Sequence, residues 1–189
     1  MAFLFGILTL SLMANQVATG LALTLFGVGL SALMGQEFVG TPVPALVQLN
    51  IPGLSDIPFV GPILFAQDAL VYLSFFMVAA VSWFLYKTKA GLILRAVGDS
   101  HDAAHSIGYP VIGIRYLAVM FGGAMSGIGG AYLSLAYTPM WAENMTAGRG
   151  WIALALIVFA TWKPGLVLVG AYMFGGITIL QLHAQAAGL

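Results

Sequence analysis

The sequence predicts an all-α integral membrane protein, a polytopic helix bundle, and three observations carry that reading. Of 189 residues, 61% are hydrophobic and only 6% charged, where a soluble domain carries about 25% charged residues. Charges this sparse cannot cover a water-facing surface, so lipid must solvate much of the chain; the mean hydropathy of +1.01 agrees. Long uncharged runs recur, and in hydrocarbon every backbone polar group needs an internal partner, which makes those runs helices. The 24 glycines suit helices that approach one another closely.

Composition also excludes several function classes. The net charge is zero and no Lys or Arg run occurs, so the basic footprint of a nucleic-acid binder is missing. There is no cysteine, hence no disulfide, thiol catalysis or Cys-ligated metal. No Gly is followed by Lys, so there is no phosphate-binding Gly-rich loop. The chain is therefore expected to bind no cofactor, and any ATP must be handled by another chain.

The elements follow in order. Residues 1–14 are apolar without a charged leader, so they do not read as a cleaved signal peptide; they look like a partial span, as in a fragment of a longer protein. Asn15 and Gln16 interrupt, and 17–35 form a span. Residues 36–68 hold five of the eight prolines and three of the six acidic residues and cannot be one helix. Residues 69–86 are a span; 87–115 are the most charged segment; 116–137 are a span. After a short polar stretch, 150–162 are apolar but short of the roughly 20 residues needed to cross. Lys163 and Pro164 interrupt, and 165–182 form the last span.

Lys and Arg set the orientation. Lys87, Lys89, Arg95 and Arg115 share one loop, which is placed in the cytoplasm. Alternation then puts 36–68 and 138–149 outside and Lys163 inside, leaving Arg149 as the one basic residue outside. The whole chain is read as one transmembrane domain.

The loop 87–115 is the most informative segment. Asp99 or Ser100 suits an N-cap, Asp102 sits in the first turn where the helix dipole favours it, and Gly108 with Pro110 stops the helix. A short helix is expected over about 100–107. Helices below ~12 residues are marginal alone, so it needs a surface, and Ala103, Ala104 and Ile107 supply an apolar face. That face docks either on a partner or on the chain itself, and spacing does not choose between them.

Other constellations have bland counterparts. His101 and His105 share a helix face as in a zinc H-E-x-x-H motif, but Asp102 replaces the longer acid and no third ligand is evident. Ser126 with His183 resembles an intramembrane serine protease pair, yet Gly123, Ser126, Gly127 and Gly130 also fit a small-residue packing face. Asn15 and Gln16 in an apolar region, and Glu143, Asn144, Arg149 and Trp151 near the outer mouth, either line a path or satisfy one another; Glu143 and Arg149 would then pair.

The loop reads TKAGLILRAVGDSHDAAHSIG from Thr88 to Gly108. It resembles the coupling region of ABC-importer permeases of the simple-sugar, nucleoside and branched-chain amino acid type, whose pattern is T-x-x-G-x-x-L-R-A-x-G, an acidic or polar pair, Ala-Ala and Gly. Upstream, Ala14-Asn15-Gln16-Val17, Gly20-Leu21-Ala22-Leu23 and Ile51-Pro52-Gly53-Leu54-Ser55-Asp56-Ile57-Pro58 are similar to the nucleoside and sugar branch. Downstream, Gly123 to Tyr132 and Met145 to Ala155 are similar to it too. The chain departs where the family places Glu-Asn-Pro: Asp99-Ser100-His101 keeps the acidic cap and loses the proline.

The resemblance implies an ABC permease subunit in the cell membrane, working with a cytoplasmic ATPase, a second permease subunit and an external binding protein that delivers a nucleoside or simple sugar. Gly98, Asp99, Ser100, Ala103, Ala104, Ile107 and Gly108 would couple to the ATPase. An intramembrane protease and a passive channel are the competing readings.

Overall fold

The computed structural model describes residues 1–47, 49 and 67–187; the motif from Ile51 to Pro58 lies outside the described residues. Among the described residues the regular structure is helical apart from isolated β-bridges, such as Val39 with Trp141 and Pro42 with Met140. Helix α1 (Ala2–Gly6) widens into a π turn over Ile7–Ser11. The chain breaks at Met13, whose φ is 51°. Asn15 starts α2 (Gln16–Gly35) by accepting from the Val17 and Ala18 N–H groups at 3.0 and 3.1 Å, which satisfies two of the orphan donors at a helix start. Asp68 caps α3 (Ala69–Lys87) in the same way, at 3.0 Å from both Leu70 and Val71.

The segment read as a cytoplasmic loop is mostly helical. Beyond α3 come α4 (Lys89–Asp99) and α5 (His101–Ser106), and α6 (Val111–Tyr132) already begins at Val111, ahead of the expected 116. It ends in a second π turn over Leu133–Tyr137. Helices α7 (Arg149–Phe159) and α8 (Pro164–Ala186) complete the chain. Among the described residues four helices are long and apolar enough to cross a membrane: α2, α3, α6 and α8. Helix α7, with 11 residues, reaches about 16 Å at 1.5 Å per residue, half the roughly 30 Å of a hydrocarbon core. It stops before Lys163 because Thr161 and Trp162 turn the chain with φ of 49° and 59°.

Contacts among the helices are few and specific. Helix α1 lies antiparallel on α6. A Cβ on Gly6 would stand 2.8 Å from the Tyr116 ring, Gly123 meets Ala2, and Ser11 Oγ is 2.7 Å from the Tyr116 hydroxyl. Helix α8 meets α3 through the stacked rings of Phe75 and Tyr172, 6.1 Å apart, and meets α7 where Gly170 admits Leu156. At one end of the bundle the chain after α2 pairs with the chain after α6: Val43 N–H donates to Pro139 C=O at 3.0 Å, Val39 bridges Trp141, and the Trp141 ring covers Gly35. Lys87, α4 and α5 lie at the opposite end.

Most apolar side chains remain uncovered, and among the described residues none of the large ones is fully buried. In water that would be untenable. For helices solvated by lipid it is ordinary, because apolar side chains lose nothing by facing acyl chains. The chain is an all-helical, multi-pass membrane bundle.

Candidate functional site: the capped helix between α4 and α6

The α3–α4 corner positions everything after it. The Thr88 hydroxyl donates to the Phe84 carbonyl at 2.6 Å and accepts from the Gly91 N–H at 3.0 Å, joining the last turn of α3 to the first turn of α4. Gly91 sits directly against the Phe84 carbonyl, where no side chain fits. Helix α4 then presents Ile93 and Val97, one turn apart on one face, toward the start of α6. The sequence reading missed α4. Its signals were Thr88 three residues ahead of Gly91 and this i, i+4 pair, masked by Lys89 and Arg95.

Helix α5 is only six residues long, and its stability comes from its ends and one buried contact. Ser100, rather than Asp99, is the N-cap, accepting from the Ala103 N–H at 3.3 Å. Its C-terminus is a Schellman turn: Gly108 N–H donates to His105 C=O at 2.9 Å and Tyr109 N–H to Ala104 C=O at 3.2 Å. Gly108 has a φ of 95°, the left-handed conformation that favours glycine at this position.

The structure divides the face expected on α5. Ala104 is only 4% exposed and clusters with Val97 and Val111, flanked by Ile93 and Ile114. It is covered by its own chain. Ala103 is exposed on the outer side, and Ile107 is 75% exposed at the tip. Gly98 and Asp99 are exposed on the preceding turn. Helix α5 is thus anchored through one alanine and leaves an uncovered isoleucine beside a second.

The remaining predicted residues do not form one site. Asn15 and Gln16 lie toward the end where α6 begins, and the Asn15 side-chain oxygen is committed to its cap. Glu143, Asn144, Arg149 and Trp151 lie at the opposite end. Arg149 does not pair with Glu143; its guanidinium stacks over the Tyr137 ring, 4.8 Å from the centroid. The delocalised cation is held by a π face, a partner the sequence does not mark because the ring lies twelve residues upstream, at the foot of a π turn. Of the small-residue face on α6, Gly123 packs against Ala2, while a Cβ added at Gly127 or Gly130 would meet no other element within 4 Å among the described residues.

The protease arrangements also fail to assemble. His183 Nδ1 lies 2.9 Å from the Ile179 carbonyl of its own helix, and among the described residues it shares no hydrogen bond with Ser126. His101 Nε2 is 3.2 Å from Asp102 Oδ1, both side chains largely exposed. Among the described residues no three His, Cys, Asp or Glu side chains gather as metal ligands would.

Comparison with known proteins follows the same line. The family described as branched-chain amino acid transport system, permease component, matches residues 1–187. A putative glucose ABC transporter permease protein of Haloferax volcanii is 42% identical over the whole chain and 59% of its own length. A nucleoside ABC transporter permease protein of Lactococcus lactis is 32% identical over 95% of the chain and 58% of its own. A guanosine ABC transporter permease protein of Bacillus subtilis is 33% identical over 88% and 54%. The chain therefore spans between half and three fifths of the length of these relatives. No solved structure matches it. The family is one of permease components rather than catalysts, so neither protease reading is retained, and the chain belongs to the branched-chain amino acid transport system permease family.

Proposed function

We infer that this chain forms part of the membrane path of an ATP-driven importer, with α5 as the seat of a cytoplasmic ATPase. The observation that carries this reading is the anchored helix with an uncovered tip: Ala104 is buried on α4 and α6 while Ile107 is 75% exposed. A helix fixed on its own protein by one face, with Ala103 and Ile107 uncovered on the outer side, transmits a push without folding up. The ATPase supplies the nucleotide site that this chain lacks. The end bearing Lys87 and α4 faces the cytoplasm in this reading, in line with the positive-inside rule. The end where residues 39–46 pair with 135–141 faces outward, where an external binding protein delivers the substrate, and a second permease chain completes the path.

The substrate class is a nucleoside or simple sugar. The names of the similar permeases support it, because glucose and a nucleoside share a neutral, hydroxyl-rich sugar ring. Uptake into membrane vesicles tests the reading. Ile107→Asp, in the full importer, is expected to lower ATP-driven uptake by about tenfold or more, the scale of a lost docking anchor, with protein level unchanged. Uptake at the wild-type rate, or uptake that needs no ATP, would overturn it.

A further inference from the structure

Helix α2 is held at its ends. Among the described residues its buried positions are Thr19, in the first turn, and Gly35, its last residue. Between them a Cβ added at Gly27 or Gly29 would meet no other element within 4 Å among the described residues. The far end is fixed by the chain that follows it. The Trp141 ring covers Gly35, Val39 bridges Trp141, and Pro42 bridges Met140.

Prolines explain both why this pairing forms and why it stays small. In an α-helix the Leu135 carbonyl would accept from the N–H four residues on, but that residue is Pro139 and has none. The following N–H, of Met140, goes to the Thr138 carbonyl at 2.6 Å. Leu135 C=O accepts instead from Leu46 N–H at 3.2 Å, and Pro139 C=O accepts from Val43 N–H at 3.0 Å. Pro42, Pro44 and Pro139 supply no donors, so the contact cannot lengthen into a continuous ladder. It can part without unravelling a helix.

The other partner in this contact is α6. Its first residue, Val111, packs on Ala104 of α5. Together with its terminal π turn it runs unbroken for 27 residues, about 40 Å at 1.5 Å per residue. One helix thus joins the seat of α5 to the clasp on α2, and it ends in a π turn, a widening that recurs at functional sites.

We propose that the pairing of 39–46 with 135–141 is an outer latch, closed in this structure, that parts in each transport cycle as α5 moves α6. The proposal rests on the importer reading above. Once parted, the latch leaves α2 without its outer hold and free to swing about the break at Met13, whose φ is 51°. The gap opens between the ends of α2 and α6, on the side where the substrate arrives.

The test uses the full importer in membrane vesicles. The chain has no cysteine, so an introduced pair can react only with itself within this chain. Residues facing each other across an antiparallel bridge stand about 4.5–5.5 Å apart at Cα, inside the roughly 4.4–6.8 Å of a disulfide. Pro42→Cys with Met140→Cys can therefore lock the latch. Oxidation of that pair is expected to lower ATP-driven uptake by about tenfold or more, and a reductant should restore it. The latch's motion has a second readout: the rate of disulfide formation should change by about threefold or more when a non-hydrolysable ATP analogue is added. Val39→Cys with Trp141→Cys, across the neighbouring bridge, repeats both measurements if the first pair does not assemble. Undiminished uptake with the latch fully crosslinked, or a rate indifferent to the nucleotide, overturns the latch, while ATP-driven uptake by the reduced protein keeps the importer reading. Uptake that needs no ATP overturns both.

Discussion

Replacing Gly91 with alanine is expected to destabilise the protein by about 3 kcal/mol, the upper part of the range for overpacking. The sign is the informative part, since alanine in a helix interior normally gains about 1 kcal/mol over glycine. At Gly91 the added Cβ would meet the Phe84 carbonyl and stand 2.7 Å from the Leu85 Cα. Both are backbone atoms of the α3 terminus, so nothing can rotate aside. The corner must open, and the Thr88 bridge between Phe84 and Gly91 opens with it. Gly98, on the same helix, has nothing within 4 Å. Gly98→Ala is expected to hold or raise stability by up to about 1 kcal/mol. Thermal unfolding in nanodiscs should show Tm falling for the first variant and not for the second. Equal behaviour of the two would mean that α4 does not fold back on α3 as described.

Ala104→Arg is expected to be as damaging, for a different reason. Its neighbours are Val97, Val111, Ile93 and Ile114, and none of them can pair a guanidinium. An uncompensated buried charge costs about 3–5 kcal/mol, so α5 should detach and the amount of assembled protein in the membrane should fall. Ala103→Arg, one residue earlier and exposed, should leave stability within about 0.5 kcal/mol yet impair ATP-driven uptake. Unfolding and vesicle uptake measured on both variants separate the two roles. If Ala104→Arg remained as stable as the wild type, the inward placement of that residue would be wrong.

How far the sequence could be read depended on whether a signal is local. The class of the fold was legible because 6% charged residues leave no alternative to lipid. Helix α5 was legible because its stops are local: Ser100 and Gly108 each act within three residues of themselves. Helix α4 was not, because its apolar positions are interleaved with Lys89, Arg95 and Asp99, and charge dominated the reading of 87–115. The partition of Ala103, Ala104 and Ile107 was not legible either. Which face turns inward depends on Val97 and Val111, which reach Ala104 only through the α4–α5–α6 path. The Arg149 contact failed for the same reason: Glu143 is near in sequence, while Tyr137 is brought under the guanidinium by the π turn that ends α6. The small residues of α6 mark a surface that allows close approach, and among the described residues Gly123 shows what approaches it, Ala2 of α1.

Cysteine crosslinking distinguishes an α5 that is fixed on its own chain by one face and docks an ATPase with the other from one that does neither. The chain has no cysteine of its own, so each introduced thiol is a single probe. Ala103→Cys, Ala104→Cys and Ile107→Cys would be expressed in the full importer in its native membrane, treated with a short thiol crosslinker, and the captured partner identified by mass spectrometry. Capture of an ATPase subunit from positions 103 and 107, and not from 104, is the expected result. Failure to capture one from 103 and 107, or equal capture from 104, would contradict the account.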